Sequence, residues 1–272
     1  MCSKDFVDFI IENHLDLNFT KEDLKTVKDY KIRITVGSHT DFDYAYNTCR
    51  AWFTLKYFNP NTKYEIERDD LPWNKVPEHK ITVQDIKYVM SSYFNNTPYN
   101  PYLKYGDGSL KGKYRYIGIN RTGHTALIQI RGYMPDPIKA VKWISLGSNA
   151  FNAFIPQYTS VNNVPDYLSK IDHEVTTNNM YWTNRMIAAL TDAHYNKANV
   201  PVEQYQFRVL CHSHEMLNEF DKKLKAGCDA KAIEECNQKI SDYFQKETNQ
   251  LLNKVLYIAS CEMKNSFARS DA

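Results

Sequence analysis

Phe6, Phe9 and Ile10 recur at the spacing of one helical face behind Ser3, a capping residue type, and predict a helix over residues 4–13. Thr20 with Asp23 forms a variant capping box. Ile32, Ile34 and Val36 alternate with polar neighbours, as in a half-buried strand over residues 31–36. Cys49 falls in an apolar helical stretch with Ala45, Trp52 and Phe53 and reads as a buried structural thiol. The clearest local signal is at residues 81–94. Thr82 and Asp85 are three apart, as in a capping box. Ile81 and Ile86 stand where a hydrophobic staple would, and Ile86, Val89, Met90 and Tyr93 share a helical face. Pro98 and Pro101 make residues 95–102 irregular, because the residue before a proline avoids helix.

Three strands are predicted next: Tyr114–Ile119, Thr125–Arg131 and Val141–Leu146. Asn120-Arg121-Thr122-Gly123 is short enough to join the first two as a hairpin. The middle strand carries Ala126, Ile128 and Ile130 on one face and Thr125, Leu127, Gln129 and Arg131 on the other. An antiparallel sheet with unlike faces follows, its polar face lining a site or meeting solvent.

The character changes near Pro165, and beyond it the chain reads as helix. Trp182, Met186, Ala189, Leu190 and Ala193 mark one helix. Tyr205, Val209, Met216, Leu217, Phe220 and Leu224 mark a second, ended by Gly227. Ile233, Ile240, Phe244, Leu251, Val255, Leu256 and Met263 mark a long third that one break would divide. The expected organisation is an α+β region over residues 1–165 with an antiparallel sheet, and a helical region over 166–272 packing on it.

Composition narrows the class. The chain has 272 residues, 43% hydrophobic and 24% charged, as in a globular protein that buries a core. It contains no run of eighteen apolar residues, so no membrane partner is expected. The net charge is +2 with acids and bases interleaved, so no nucleic-acid partner is expected. The start, Met1 to Phe6, lacks a secretion pattern. The six cysteines, irregularly spaced, then read as reduced thiols in a cytoplasmic protein.

Cys211-His212-Ser213-His214 invites a metal reading. On a helix, however, Cys211 and His214 share a face that excludes His212, and no second cluster completes four ligands; no metal is expected. The loop with Tyr99, Asn100, Tyr102, Tyr105 and Asp107 is either a ligand-touching segment or a stiff surface loop. Asn120, Arg121 and Arg131 lie at the ends of the predicted hairpin. Arginine suits a carboxylate, and asparagine can donate to a developing oxyanion.

Several blocks together resemble one family. They are Tyr46 to Trp52, Asp70-Leu71-Pro72-Trp73 with Val76-Pro77-Glu78, and Thr97 to Tyr102, where the family commonly has aspartate in place of Asn100. Ile117 to Thr122 with Ile128 to Arg131 is the most specific block. Trp143 with Gly147 to Phe151, Pro156-Gln157-Tyr158, Trp182 to Arg185 and Ala188 to Leu190 continue it. In order and spacing they are similar to the dipeptidase A and secernin family over nearly the whole chain. The resemblance implies part of an αββα sandwich of the N-terminal-nucleophile hydrolase type with a helical C-terminal region. It also implies cysteine-type hydrolysis of dipeptides in the cytoplasm, with no cofactor. It places this chain in the carboxyl-terminal portion of the family's sequence. The leading cysteine of an inner strand, whose own α-amine takes the thiol proton, is then expected to be absent. Cys2 is a weak substitute, since a helix rather than a strand follows it. Asn120, Arg121, Arg131 and Asn149 are the candidate substrate-side residues, in blocks at strand ends and turns. The partners implied are a dipeptide substrate and an amino-terminal half or a second copy. The rival reading is a non-catalytic half of a split dipeptidase. A third is another amide hydrolase of the same fold.

Overall fold

In the computed structural model, the described residues are 3–15, 40–68, 71–72 and 74–264. Cys2, the capping pair Thr20 and Asp23, the strand expected over 31–36, Asp70 and Trp73 lie outside them. The described residues fall into two compact units, those within 1–78 with 113–115, and those within 79–112 and 116–264.

In the first unit, α1 spans Phe6–Glu12. A short helix α2 (Asp41–Asp43) runs through a π-helical turn, Tyr44–Thr48, into α3 (Cys49–Phe58). Cys49, Trp52 and Phe53 are buried on one face of α3, as their spacing predicts. Trp52 Nε1 donates to Tyr64 O at 2.8 Å, and Arg115 N donates to Ala45 O at 2.9 Å.

The second unit opens with α4 (Val83–Met90). Its capping box is complete: Asp85 N donates to Thr82 Oγ1 at 3.1 Å, and Thr82 N donates to Asp85 Oδ2 at 2.7 Å. Strand β1 (His124–Ile130) follows, then α5 (Asp136–Lys139), β2 (Ala140–Leu146) and β3 (Ile155–Tyr158), in one antiparallel sheet of order β1-β2-β3. The helices α6 (Asp166–Ser169), α7 (Met180–Ala193), α8 (Tyr195–Lys225) and α9 (Ala230–Cys261) complete it. The architecture is α+β. One continuous core runs from the sheet into the helices, through Trp143, Tyr158, Ile187, Tyr205 and Phe244.

The structure differs from expectation at the sheet. Residues 114–119 are not a strand and form no hairpin with β1. Gly118 N donates to Ser92 O at 2.8 Å, and a Cβ on Gly118 would lie 2.2 Å from Ser91 O. That contact with the end of α4 takes the backbone groups a strand ladder would need. β1 instead pairs with β2, Thr125 opposite Ser145 and Leu127 opposite Trp143. β3 escaped sequence reading because Pro156 interrupts a short apolar run; as an edge strand, it tolerates the missing donor. The long helix α9 is unbroken, and α8 starts ten residues before Tyr205, running through Pro201.

β1 has the two unlike faces expected, and the polar one is the inward one. Ala126, Ile128 and Ile130 point outward, the two isoleucines 63% and 65% exposed, while Thr125, Leu127, Gln129 and Arg131 turn toward the helices. The inward polar groups have partners there. Trp143 Nε1 donates to Gln129 Oε1 at 3.0 Å, and Asn149 Nδ2 donates to Thr125 Oγ1 at 3.1 Å. Arg131 Nη1 and Nη2 reach Asp221 of α8 at 2.6 and 3.1 Å. Tyr158 also donates to Asp221, at 2.8 Å. A buried polar group held this way avoids the penalty that would otherwise send it to solvent.

Candidate active site

A cavity of about 300 Å³ opens within the second unit where the end of β2, residues 118–120 and α7 converge. Gly147, with φ of +82°, makes the convergence possible. A Cβ there would meet Asn184 Cβ and Tyr181 O, each at 2.9 Å. Asn184 Nδ2 donates to Leu146 O at 2.6 Å and ties α7 to the strand end. Ser148 Oγ then donates to Asn120 O at 3.0 Å. Arg185 Nη1 donates to Ser148 Oγ at 3.0 Å and also to Asn120 O. Three segments distant in sequence are thereby fixed around one guanidinium.

Tyr93, Tyr102, Tyr116 and Phe151 give the cavity an aromatic side, and Tyr195 packs behind it. Tyr102 and Tyr195 stack at 3.9 Å between ring centres, Tyr93 meets Tyr102 edge-on, and Tyr93 and Tyr195 share a hydroxyl hydrogen bond of 2.7 Å. Tyr102 donates its hydroxyl to Asp192 Oδ1. Burial first, and then the bond to Asp192, push the Tyr102 phenol well above its ordinary range, so it stays a donor. Asp192 and Arg185 lie on α7 with Ala188 and Ala189 between them, and all four line the cavity.

The sequence-predicted residues are distributed unevenly around this cavity. Asn120 lines it. Asn149 is buried just beneath, its Nδ2 donating to Met90 O at 2.7 Å and its carbonyl accepting from Lys87 Nζ at 2.5 Å. Arg121 is exposed and does not line the cavity. Arg131, 4% exposed, follows the far end of β1, where Asp221 and Ile138 O hold its guanidinium. Sequence reasoning did not single out Arg185, Ser148 or Asp192 as site residues. The available signal was Arg185, Ala188, Ala189 and Asp192 at i, i+3, i+4 and i+7: two charges and two small residues on one helical face.

A second cavity, of about 220 Å³, lies on the other side of Ala150 and is lined by Lys87, Phe154, Glu203 and Gln206. Burial lowers the Lys87 amine to about 7. Among the described cysteines, Cys49 is buried and its thiol is pushed up to about 11 by that burial, whereas Cys211 and Cys261 are exposed. His212 Nδ1 lies 2.9 Å from Glu215, and the His214 ring lies 4.7 Å from that of Trp143. Among the described residues, no group of three or more His, Cys, Asp or Glu is placed to hold a metal ion, and no helix is long and apolar enough to cross a membrane.

The model of peptidase family C69 matches residues 1–208. The chain is similar over its whole length to "Probable dipeptidase A" of Streptococcus pyogenes serotype M18, with 43% identity over 271 residues. It is 34% identical over 320 aligned positions to "Dipeptidase" of Bifidobacterium longum, and 31% identical over 272 to "Probable dipeptidase B" of Lactococcus lactis. In each case all of this chain is covered, but only 56%, 59% and 56% of the respective relative.

Proposed function

The chain belongs to peptidase family C69, and from that premise we propose that it is part of a cysteine-type dipeptidase that hydrolyses dipeptides. The observation that carries this reading is the 43% identity running the length of the chain to a protein named for dipeptide cleavage. In the proposed enzyme a thiolate attacks the scissile carbonyl, and water releases the acyl group from sulfur. The described cysteines do not serve as that nucleophile in this reading, because Cys49 and Cys236 are buried with raised thiols, and Cys211, Cys228 and Cys261 lie away from the cavity lining. In this reading the nucleophile lies outside the described residues, as the family resemblance implies for a leading cysteine.

Asn120, Arg121, Arg131 and Asn149 are proposed as substrate-side residues in unequal roles. Asn120 borders the substrate, and Asn149 holds the turn behind it. Arg121 stands in solvent next to Asn120, and Arg131 acts from a distance by fixing β1 to α8. A second reading is that this chain is the non-catalytic half of a split dipeptidase. It is favoured by the outward aliphatic face of β1, with Ile128 and Ile130 exposed beside a strand edge that has no partner among the described residues. A second sheet stacked on that face would give the sandwich implied by the family resemblance.

Amino-acid release from L-alanyl-L-alanine tests both. Activity appearing only when the chain is co-expressed with the part of the Streptococcus pyogenes relative that it does not cover supports the split reading. Activity of the chain alone that survives removal of Cys2 excludes a nucleophile from outside the described residues. No hydrolysis in either preparation, beside an active full-length relative, refutes the dipeptidase reading for this chain.

A further inference from the structure

Arg185 and Asp192 are opposite charges lining one cavity, and among the described residues neither has an ion-pair partner. Arg185 uses Nη1 on Asn120 O and Ser148 Oγ, leaving its other guanidinium donors without an acceptor among those residues. Asp192 accepts from Tyr102 on Oδ1 and leaves Oδ2 open. Unpaired charges beside an aromatic wall are poised for a ligand carrying the complementary pair. The spacing selects which ligand. Seven helical residues separate the two positions by about 10.5 Å along the axis. An extended two-residue peptide spans at most about 7 Å. Two charge-assisted contacts of about 2.8 Å bring its reach to about 12–13 Å, which the lean of two side chains accommodates. A third residue adds about 3.4 Å to that reach and takes it to about 16 Å, further beyond the axial separation of the two charges. Ala188 and Ala189 supply the gap in which the ligand's backbone would lie.

We propose that this cavity measures a free dipeptide by its two ends, with the α-carboxylate on Arg185 and the α-ammonium on Asp192. The proposal rests on the dipeptidase reading and deepens it, since it explains how cleavage would be confined to dipeptides. Arg185 and Asp192 are binding residues here, with Tyr102 positioning Asp192.

Calorimetric titration of the full chain with L-alanyl-L-alanine, its N-acetyl form, its amide and L-alanyl-L-alanyl-L-alanine tests it. The free dipeptide should bind about tenfold or more tightly than the other three, each end contact being a hydrogen bond to a charge. Asp192→Asn should weaken the free dipeptide about tenfold and leave the N-acetyl form unchanged, and Arg185→Gln should do the same with respect to the amide. Arg185→Lys should restore part of the loss, and Ala189→Leu should abolish binding by filling the gap without altering charge. Circular dichroism checks that each variant folds. Failure of the dipeptide to bind, equal binding of the blocked forms, or equal weakening of every ligand by both charge variants would overturn the proposal. These outcomes separate from those of the hydrolysis assay. End-dependent binding without any hydrolysis leaves this inference standing and removes the enzyme reading, while hydrolysis indifferent to the blocked ends does the reverse.

Discussion

Replacing Lys87 by methionine should change how the stability of the protein depends on pH, and in a calculable direction. The amine of Lys87 donates to Asn149 O at 2.5 Å, sits 5.6 Å from the centre of the Phe154 ring, and has no carboxylate partner among the described residues. Burial lowers it from 10.5 to about 7, so between these values the unfolded chain holds a proton that the folded chain has released. Stability therefore rises with pH across that window, and as pH falls it is lost down to the folded value, below which the loss is complete. At 1.36 kcal/mol per unit, two units from pH 7 to pH 9 amount to about 2 kcal/mol once the proton still half-bound at pH 7 is allowed for. For a chain of this size, that is about 4 °C or more in Tm. The variant removes the titration and also leaves Asn149 O without its donor, a pH-independent loss of about 1–3 kcal/mol. The measurement is urea unfolding of both proteins at pH 6, 7, 8 and 9, read as their difference in free energy. The wild type should gain about 2 kcal/mol on Lys87→Met between pH 7 and 9, and almost nothing between pH 6 and 7. A difference that stays flat from pH 7 to 9 would mean that the amine is hydrated, and the reasoning from burial would fail.

Arg131→Met should destabilise the protein by about 3–5 kcal/mol in urea unfolding, because Asp221 is then left buried without its cation. Gly147→Ala places a methyl 2.9 Å from Asn184 and Tyr181 at a left-handed φ. It should cost more than about 1 kcal/mol and displace Ser148, which dipeptide titration would register as weaker binding. Thr82→Ala should cost about 1 kcal/mol by opening the capping box of α4, with dipeptide binding unchanged. Thiol labelling at pH 8 should modify Cys211 and Cys261 in the folded protein. Cys49 and Cys236 should react only on unfolding, as mass spectrometry of the labelled peptides would show.

The features legible in sequence were those written in a few consecutive residues. The Thr82–Asp85 box closes over three positions, and helical spacing announced α7, although the face it buries carries Thr183, Ile187, Ala188 and Thr191 rather than Met186, Leu190 and Ala193. Alternation along β1 likewise announced a strand with unlike faces. Period alone carries no sign, however. Which face is covered depends on Asp221, ninety residues away, and on Trp143 across the sheet, which together make the inside hospitable to Arg131 and Gln129. Residues 114–119 show the same limit, for their alternation was overridden where Gly118 meets the backbone at Ser91. The cavity lies furthest from local reading. Arg185 and Asp192 share a face by helix geometry alone, but Asn120 and Tyr102, which meet them from 65 and 90 residues away, arrive by tertiary packing. Periodicity governs what each segment can bury, and long-range contact selects what it buries it against.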